Sequence, residues 1–321
     1  AMGRVNQTTD FILLGLFPEI KHLAVLISII FLIYMIAITG NAVLIFLILG
    51  DSQLHTPMYL LLSQLSLIDL ALISTVVPNM VTSFFTGRKN ISQTGCGTQI
   101  FFILTLGISE FLLLTFMSYD RYVAICNPLR YSVIMSPTVC MQMVIGSWLG
   151  GTLTSLVHTT YVMHFSICGS REILHFFCEV MALLKLTCEN TSAYEKSVVI
   201  SSFLVVFIPL SLILLSYTFI FLTILRMNSP EGRSKALTTC SSHLSVVSLY
   251  FGPAILIYMR PGSSQTPKLN QALFLFDSIL TPMLNPIIYG LRNKDVLAAI
   301  RKILRTIFSR GKIQRHLGCI T

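Results

Sequence analysis

A few ionisable residues stand inside or at the end of long apolar runs. Asp69 lies within LSLIDLAL, Glu110 within LGISEFLLL and Asp277 within LFLFDSIL, while Asp120 and Arg121 close the run that begins FFILTLGISEF. A carboxylate at the centre of a bilayer costs about 2.5–3.5 kcal/mol on insertion scales, so such residues face a bundle interior and carry function. Two carboxylates brought near one another, as Asp69 and Glu110 could be, either share a proton or bind a cation. Asn41, Ser66, Ser109 and Asn285 are polar residues of similar runs that could join them. The structural alternative is a hydrogen-bonded packing node. For Asp277, which has no evident cationic partner, ligand contact and a helix–helix hydrogen bond are both open. Asp120-Arg121 reads either as an interfacial charge pair with a snorkelling Arg or as a switch in which Arg121 leaves its neighbour for a partner.

The elements that must position these residues follow from composition. The 321 residues are 54% hydrophobic and only 11% charged, with mean hydropathy +0.78. A soluble domain carries about 25% charged residues, so this chain cannot cover a water-facing surface. Helical spans need roughly 20 apolar residues, and the alternating segments of about 10 residues that a membrane barrel needs are not found. The predicted spans are 23–49, 57–83, 98–125, 139–162, 197–225, 237–259 and 269–289. They divide the chain into an outer N-terminal segment (1–22), a seven-helix bundle (23–289) and a tail (290–321). Pro57, Pro78, Pro209, Pro253, Pro282 and Pro286 lie in or beside spans. Membrane helices tolerate proline because neighbours re-satisfy the freed carbonyls, so a kinked bundle is expected. No cleavable signal peptide is read, and the first span is expected to serve as an uncleaved anchor.

An odd number of spans puts the termini on opposite sides. Thirteen of the 22 Lys and Arg residues fall on the C-terminal side, which favours a cytoplasmic C-terminus. The acceptor sequons at Asn6, Asn90 and Asn190 all fall on the predicted outside. So do Cys96, Cys168, Cys178 and Cys188, an even set where disulfides persist. By count alone they allow three pairings. The expected location is the plasma membrane, crossed several times, with the N-terminus extracellular.

Other classes are disfavoured. There is no HExxH, no P-loop and no GxGxxG following a strand, so neither an enzyme nor a nucleotide or nucleic-acid partner is expected. A transporter would show an inverted repeat or a line of charges through several spans, and neither is seen. Residues 293–308 read as an amphipathic helix lying on the membrane. Val296, Leu297, Ile300, Ile303, Leu304 and Ile307 form one face, with Arg301, Lys302 and Arg305 set for anionic lipid.

Several ordered motifs carry a resemblance. They are Gly40-Asn41, LHTPMYLLLSQLSLIDL (54–70), MSYDRYVAIC (117–126), Ser216-Tyr217, KALTTCSSHLSVV (235–247) and PMLNPIIYGLRNKDV (282–296). Through them the chain resembles the rhodopsin-like G-protein-coupled receptors, and within those the tetrapod-type (class II) olfactory receptors. The resemblance spans nearly the whole chain and implies an all-α membrane protein, a seven-transmembrane helix bundle with a short amphipathic C-terminal helix.

The resemblance also implies roles. Cys96 would bond Cys178 and Cys168 would bond Cys188. Asp69, Glu110 and Asn285 match a sodium-site cluster, sodium being the one ion expected and no organic cofactor. Asp120, Arg121, Tyr122, Tyr217, His243 and Tyr289 match the groups that rearrange when a G protein docks. The implied partners are a small volatile odorant, a stimulatory (olfactory-type) heterotrimeric G protein and membrane lipid, with cyclic AMP as output. A receptor for some other small metabolite is the alternative. Three positions depart from common patterns. Arg233 stands where many rhodopsin-like receptors carry an acid, so their closed-state salt bridge is not expected. Gln53 stands where Arg is common. The frequent Phe-Tyr-Gly of the sixth span is here Tyr250-Phe251-Gly252, which moves the hydroxyl roughly 100° around the helix.

The expected pocket lies in the outer halves of the third, fifth and sixth spans. Leu104, Gly107 and Ile108 share a face, as do Ser201 and Val205, and as do Phe251, Ala254, Ile255 and Tyr258. Ile103 occupies the position where amine receptors hold an Asp, and Ile279 the position of the opsin Lys, which disfavours both ligand classes. The lining predicts a small, largely uncharged, volatile-sized ligand.

Overall fold

A computed structural model of the chain describes residues 10–15, 22–87, 89–258, 267–302 and 305. Among these, seven helices are long and apolar enough to cross a membrane. They are the first span Leu23–Gly50, the second Pro57–Thr86, the third Gln93–Cys126, the fourth Pro137–His164, the fifth Ser192–Leu225, the sixth Pro230–Tyr258 and the broken seventh. The seventh runs as Pro267–Leu275, a π-helical stretch Phe276–Leu280, and Thr281–Arg292.

Most spans outrun the sequence reading. The third begins at Gln93, the fifth at Ser192 and the sixth at Pro230, because hydropathy sees only the turns inside hydrocarbon and misses polar turns beyond it. The first span's 28 residues make about 42 Å of helix, more than the roughly 30 Å of a bilayer core. Starts are marked by caps. Ser92 Oγ accepts from the Gly95 amide at 3.0 Å, Ser136 Oγ accepts from Val139 at 3.4 Å, and Pro57 and Pro137 occupy first-turn positions where no amide is needed.

Outward faces are apolar and exposed, as at Phe46, Leu49, Val157 and Ile200, which suits lipid rather than water. The main interior cluster runs through all seven spans from Leu44 and Leu65 to Ile213, Val246 and Tyr289. The first and seventh spans close tightly at Gly40, where a Cβ would sit 2.9 Å from Pro286 Cγ. At Gly151 a Cβ would collide with Ser109 and the Thr105 carbonyl, so the third and fourth spans meet backbone to backbone there.

The outer face carries a small sheet that the all-helical expectation did not include. Strand β1 (Phe11–Leu13) pairs antiparallel with β2 (Asn90–Ile91) and parallel with β3 (Glu172–Ile173). It ties the N-terminal segment to the loop between the second and third spans and to the loop between the fourth and fifth. The opposite face ends in a helix over 294–302. Val296 and Ala299 are buried against the bundle, and Arg301 and Lys302 are exposed. Ile303, Leu304 and Ile307 lie outside the described residues, as does Asn6. Asn90 and Asn190 are both exposed.

Candidate ligand pocket and switch cluster

The second outer loop roofs the bundle. Cys96 is joined to Cys178 and Cys168 to Cys188. Gln99 on the third span anchors the first of these, accepting from the Cys178 amide at 2.9 Å and donating to the Thr75 carbonyl at 3.2 Å. His175 is packed among Phe176, Phe177 and Phe274, with ring centroids 4.3–5.4 Å away. Burial in this aromatic nest drives its imidazole down to about 3, so the ring is neutral. Glu179 caps the short helix Val180–Leu184, accepting from the Met181 and Ala182 amides at 3.0 and 2.7 Å. Burial raises its carboxyl above the usual range, against the pull of those two amides.

Beneath the roof lies a cavity of about 160 Å³. Of the residues expected to form it, Leu104, Gly107, Ile108, Ser201, Val205 and Ala254 line it. Phe251 and Ile255 do not. Phe251 sits one turn deeper, 4.7 Å from the Phe111 ring, and it is Phe111 that faces the cavity. Ile257 rather than Ile255 completes the sixth-span wall, at i, i+3 spacing from Ala254. The Tyr258 side chain lies outside the described residues.

The sequence reading missed several wall residues, among them Thr154 and His158 of the fourth span, Phe177 and Glu179 of the roof, and Ser278 of the seventh span; Asp277, for which the sequence leaves ligand contact open, lines the wall as well. His158 bridges the fourth and fifth spans. Its ring nitrogens lie 3.2 Å from the Tyr194 hydroxyl and 3.1 Å from Ser201 Oγ. A lone His in an apolar span is itself a signal, and Glu179 follows directly from its place beside Cys178. The inward turn of Asp277 has a local cause. Pro282 has no amide to donate, and just ahead of it the Thr281 amide reaches back five residues to the Phe276 carbonyl. That widened turn re-registers Phe276–Leu280.

Deeper in the bundle, Asp69, Glu110 and Asn285 are all buried. Asp69 is held by two donors, the Tyr250 hydroxyl at 2.7 Å on Oδ1 and Asn285 Nδ2 at 2.8 Å on Oδ2. Glu110 Oε1 and Asn285 Oδ1 have no hydrogen-bond partner among the described residues. The other polar residues turn elsewhere. Asn41 donates to the Pro282 carbonyl at 2.8 Å, and Ser109 to the Ser147 carbonyl at 3.0 Å. The displaced sixth-span hydroxyl, Tyr250, belongs to this cluster and not to the pocket wall.

At the end of the bundle opposite the cavity Asp120 Oδ1 accepts from the Tyr131 hydroxyl at 2.7 Å, and burial beside that carboxylate pushes the phenol well above its ordinary range. Arg121, by contrast, makes no ion pair among the described residues, and its Nε is buried without a partner. It lies within electrostatic reach of Tyr59, Tyr217, Cys240 and Tyr289. The Tyr217 hydroxyl is 2.8 Å from His243 Nδ1, linking the fifth and sixth spans. Tyr289 is buried, and its hydroxyl has no hydrogen-bond partner among the described residues. Tyr122 packs its ring 6.0 Å from Phe219 of the fifth span. Tyr59 donates to Asn293 and Asp295 at 3.0 and 3.2 Å, and Lys302 reaches Asp51 at 3.2 Å, so the terminal helix is latched to the second span and first inner loop.

Among the described residues, seven apolar helices, a roofed cavity, a buried polar cluster and, at the opposite end, an Arg without an ion-pair partner define a multi-pass membrane protein of the seven-helix receptor class. Comparison with known proteins narrows the class. A family model described as olfactory receptor matches residues 30–306. The chain is 52% identical over 309 residues to human (Homo sapiens) olfactory receptor 2L2, covering 96% of this chain and 99% of that protein. It is 50% identical over 318 residues to human olfactory receptor 2AJ1, covering 98% and 97%. The chain belongs to the olfactory receptor family. It is a receptor, not an enzyme.

Proposed function

We propose that this receptor binds small, volatile, mostly apolar odorants in the cavity under the second outer loop. Binding then activates a stimulatory, olfactory-type G protein from the opposite face, raising cyclic AMP. The observation that carries the reading is the cavity itself, walled by Leu104, Gly107, Ile108, Val205 and Ala254 and roofed by the Cys96–Cys178 bridge. Burial of apolar area offers about 25 cal/mol per Å², so few polar contacts mean modest affinity and broad tuning. Ligand that prefers the active arrangement shifts the population toward it. The inner half of the sixth span moves outward, the Tyr217–His243 contact breaks and Arg121 meets the G protein. This requires the N-terminus and the Asn90 and Asn190 sequons outside, with the terminal helix on the cytoplasmic leaflet.

Sodium belongs to the same scheme as a modulator of the resting bundle. The residues fit a hard, oxygen-loving cation. Glu110 Oε1 and Asn285 Oδ1 are buried acceptors without donors, and Asp69 adds a carboxylate. Bound there, the ion would offset the negative charge of the two acids.

The test is an odorant panel read by cyclic AMP in transfected cells, with Gly107→Phe as the pocket-filling variant. Agonists should lose at least about tenfold in potency on that variant while surface expression holds. Agonists indifferent to it would place the ligand elsewhere.

A further inference from the structure

We propose that Asp277 anchors a cationic head group, and that small aliphatic or alicyclic amines are a ligand class of the outer cavity. The proposal rests on the reading of that cavity as the ligand site and narrows it, since the ligand's body is apolar and its head is not. Asp277 lines the cavity, and its carboxylate has no hydrogen-bond or ion-pair partner among the described residues. The other ionisable groups on the wall are engaged. Glu179 takes two backbone amides, and His158 is held between Tyr194 and Ser201. Among the described residues, no Lys or Arg lines the cavity. A group needing a cation therefore faces a space that the described chain does not fill with one.

The placement follows from the backbone. The widened turn Phe276–Leu280, ahead of Pro282, carries Asp277 and Ser278 to the cavity. Such turns recur at functional sites. Leaving a carboxylate without a partner in an apolar enclosure is costly, and an ammonium removes that cost. It brings charge and three donors, whereas an alcohol brings one donor and no charge. A site with an unmet charge discriminates against the neutral isostere more sharply than an apolar pocket discriminates by size. Ile103, at the position where amine receptors carry their Asp, disfavoured amines only for an anchor on the third span. Asp277 supplies one from the seventh.

The experiment uses the full chain in transfected cells, with cyclohexylamine and isopentylamine set against cyclohexanol and isopentyl alcohol. Thermal stabilisation of the purified receptor by each compound is a second readout, independent of G-protein coupling. Amines should act and stabilise at concentrations at least about tenfold below their alcohols. Asp277→Asn should raise the amine concentration required by at least about tenfold and leave the alcohols nearly unchanged, and Asp277→Glu should restore much of the amine response. A receptor at the surface that neither responds to nor is stabilised by either amine overturns the proposal. So does an Asp277→Asn variant that keeps the amine preference. Loss of every response in Gly107→Phe with amine preference intact in the parent supports both readings. Amine binding untouched by Gly107→Phe fails the cavity reading itself. Stabilisation without cyclic AMP retains the anchor and fails only the coupling.

Discussion

The Tyr250 hydroxyl donates to Asp69 Oδ1 at 2.7 Å while accepting from Asn285 Nδ2 at 2.6 Å. This contact ties the sixth span to the second and seventh at the bundle centre. With the Tyr217–His243 contact, it is a direct polar link that the sixth span must break or stretch if its inner half swings outward. Tyr250→Phe keeps the ring and removes the hydroxyl, leaving Asp69 one donor short. The expected cost is about 1–3 kcal/mol of resting-state stability. Basal cyclic AMP should therefore rise at unchanged surface level and the melting temperature should fall. Unchanged basal signalling and melting would show that the triangle does not restrain the sixth span.

Sodium gives a second expectation. Replacing choline with sodium in the purified receptor should raise its melting temperature, because an ion that binds the folded state stabilises it by mass action. Glu110→Gln removes one of the two charges and should abolish most of that difference. A sodium effect that survives in Glu110→Gln, or none in the parent, would remove this cluster from consideration as the ion's site.

Arg121 and Tyr131 separate signalling from fold. Arg121→Ala should eliminate agonist-driven cyclic AMP, with normal surface expression, because Arg121 has no ion-pair partner among the described residues to lose. Tyr131→Phe instead strips Asp120 of its donor, at about 1–3 kcal/mol, and should destabilise the inner end of the third span. It should free Asp120 to compete for Arg121 and blunt signalling only partly. Full signalling by Arg121→Ala defeats the switch.

The outer roof should be acid-sensitive. His175 is held at about 3 in the folded protein, against an ordinary value of 6.5. The unfolded chain therefore binds more protons between those values, and stability falls as pH drops from about 6.5 toward 3. The stabilisation is fully present above about 6.5, and the loss across the window is on the order of a few kcal/mol. Melting curves of the parent and of His175→Phe, recorded from neutral to mildly acid pH, should diverge, with the variant the flatter. Parallel curves would mean that the loop opens without cost or that another group controls the acid response.

Much of this protein was legible in the chain. Low charge and long apolar runs dictated hydrocarbon as the surrounding solvent, and run lengths set seven crossings, because hydropathy is a local sum. Asp69, Glu110 and Asp277 announced themselves by their cost in lipid. The faces of the third and fifth spans followed from helical period, and Leu104, Gly107, Ile108, Ser201 and Val205 do face the cavity. The tertiary structure alone decided who meets whom. That Tyr250 reaches Asp69 and Phe251 reaches Phe111 depends on how the sixth span is rotated, which packing against the third, fifth and seventh spans sets. That Asp120 takes Tyr131 rather than its neighbour Arg121 depends on the fold of the following loop. That Asp277 turns inward depends on one widened helical turn before Pro282, a change of register that no pattern of period 3.6 encodes.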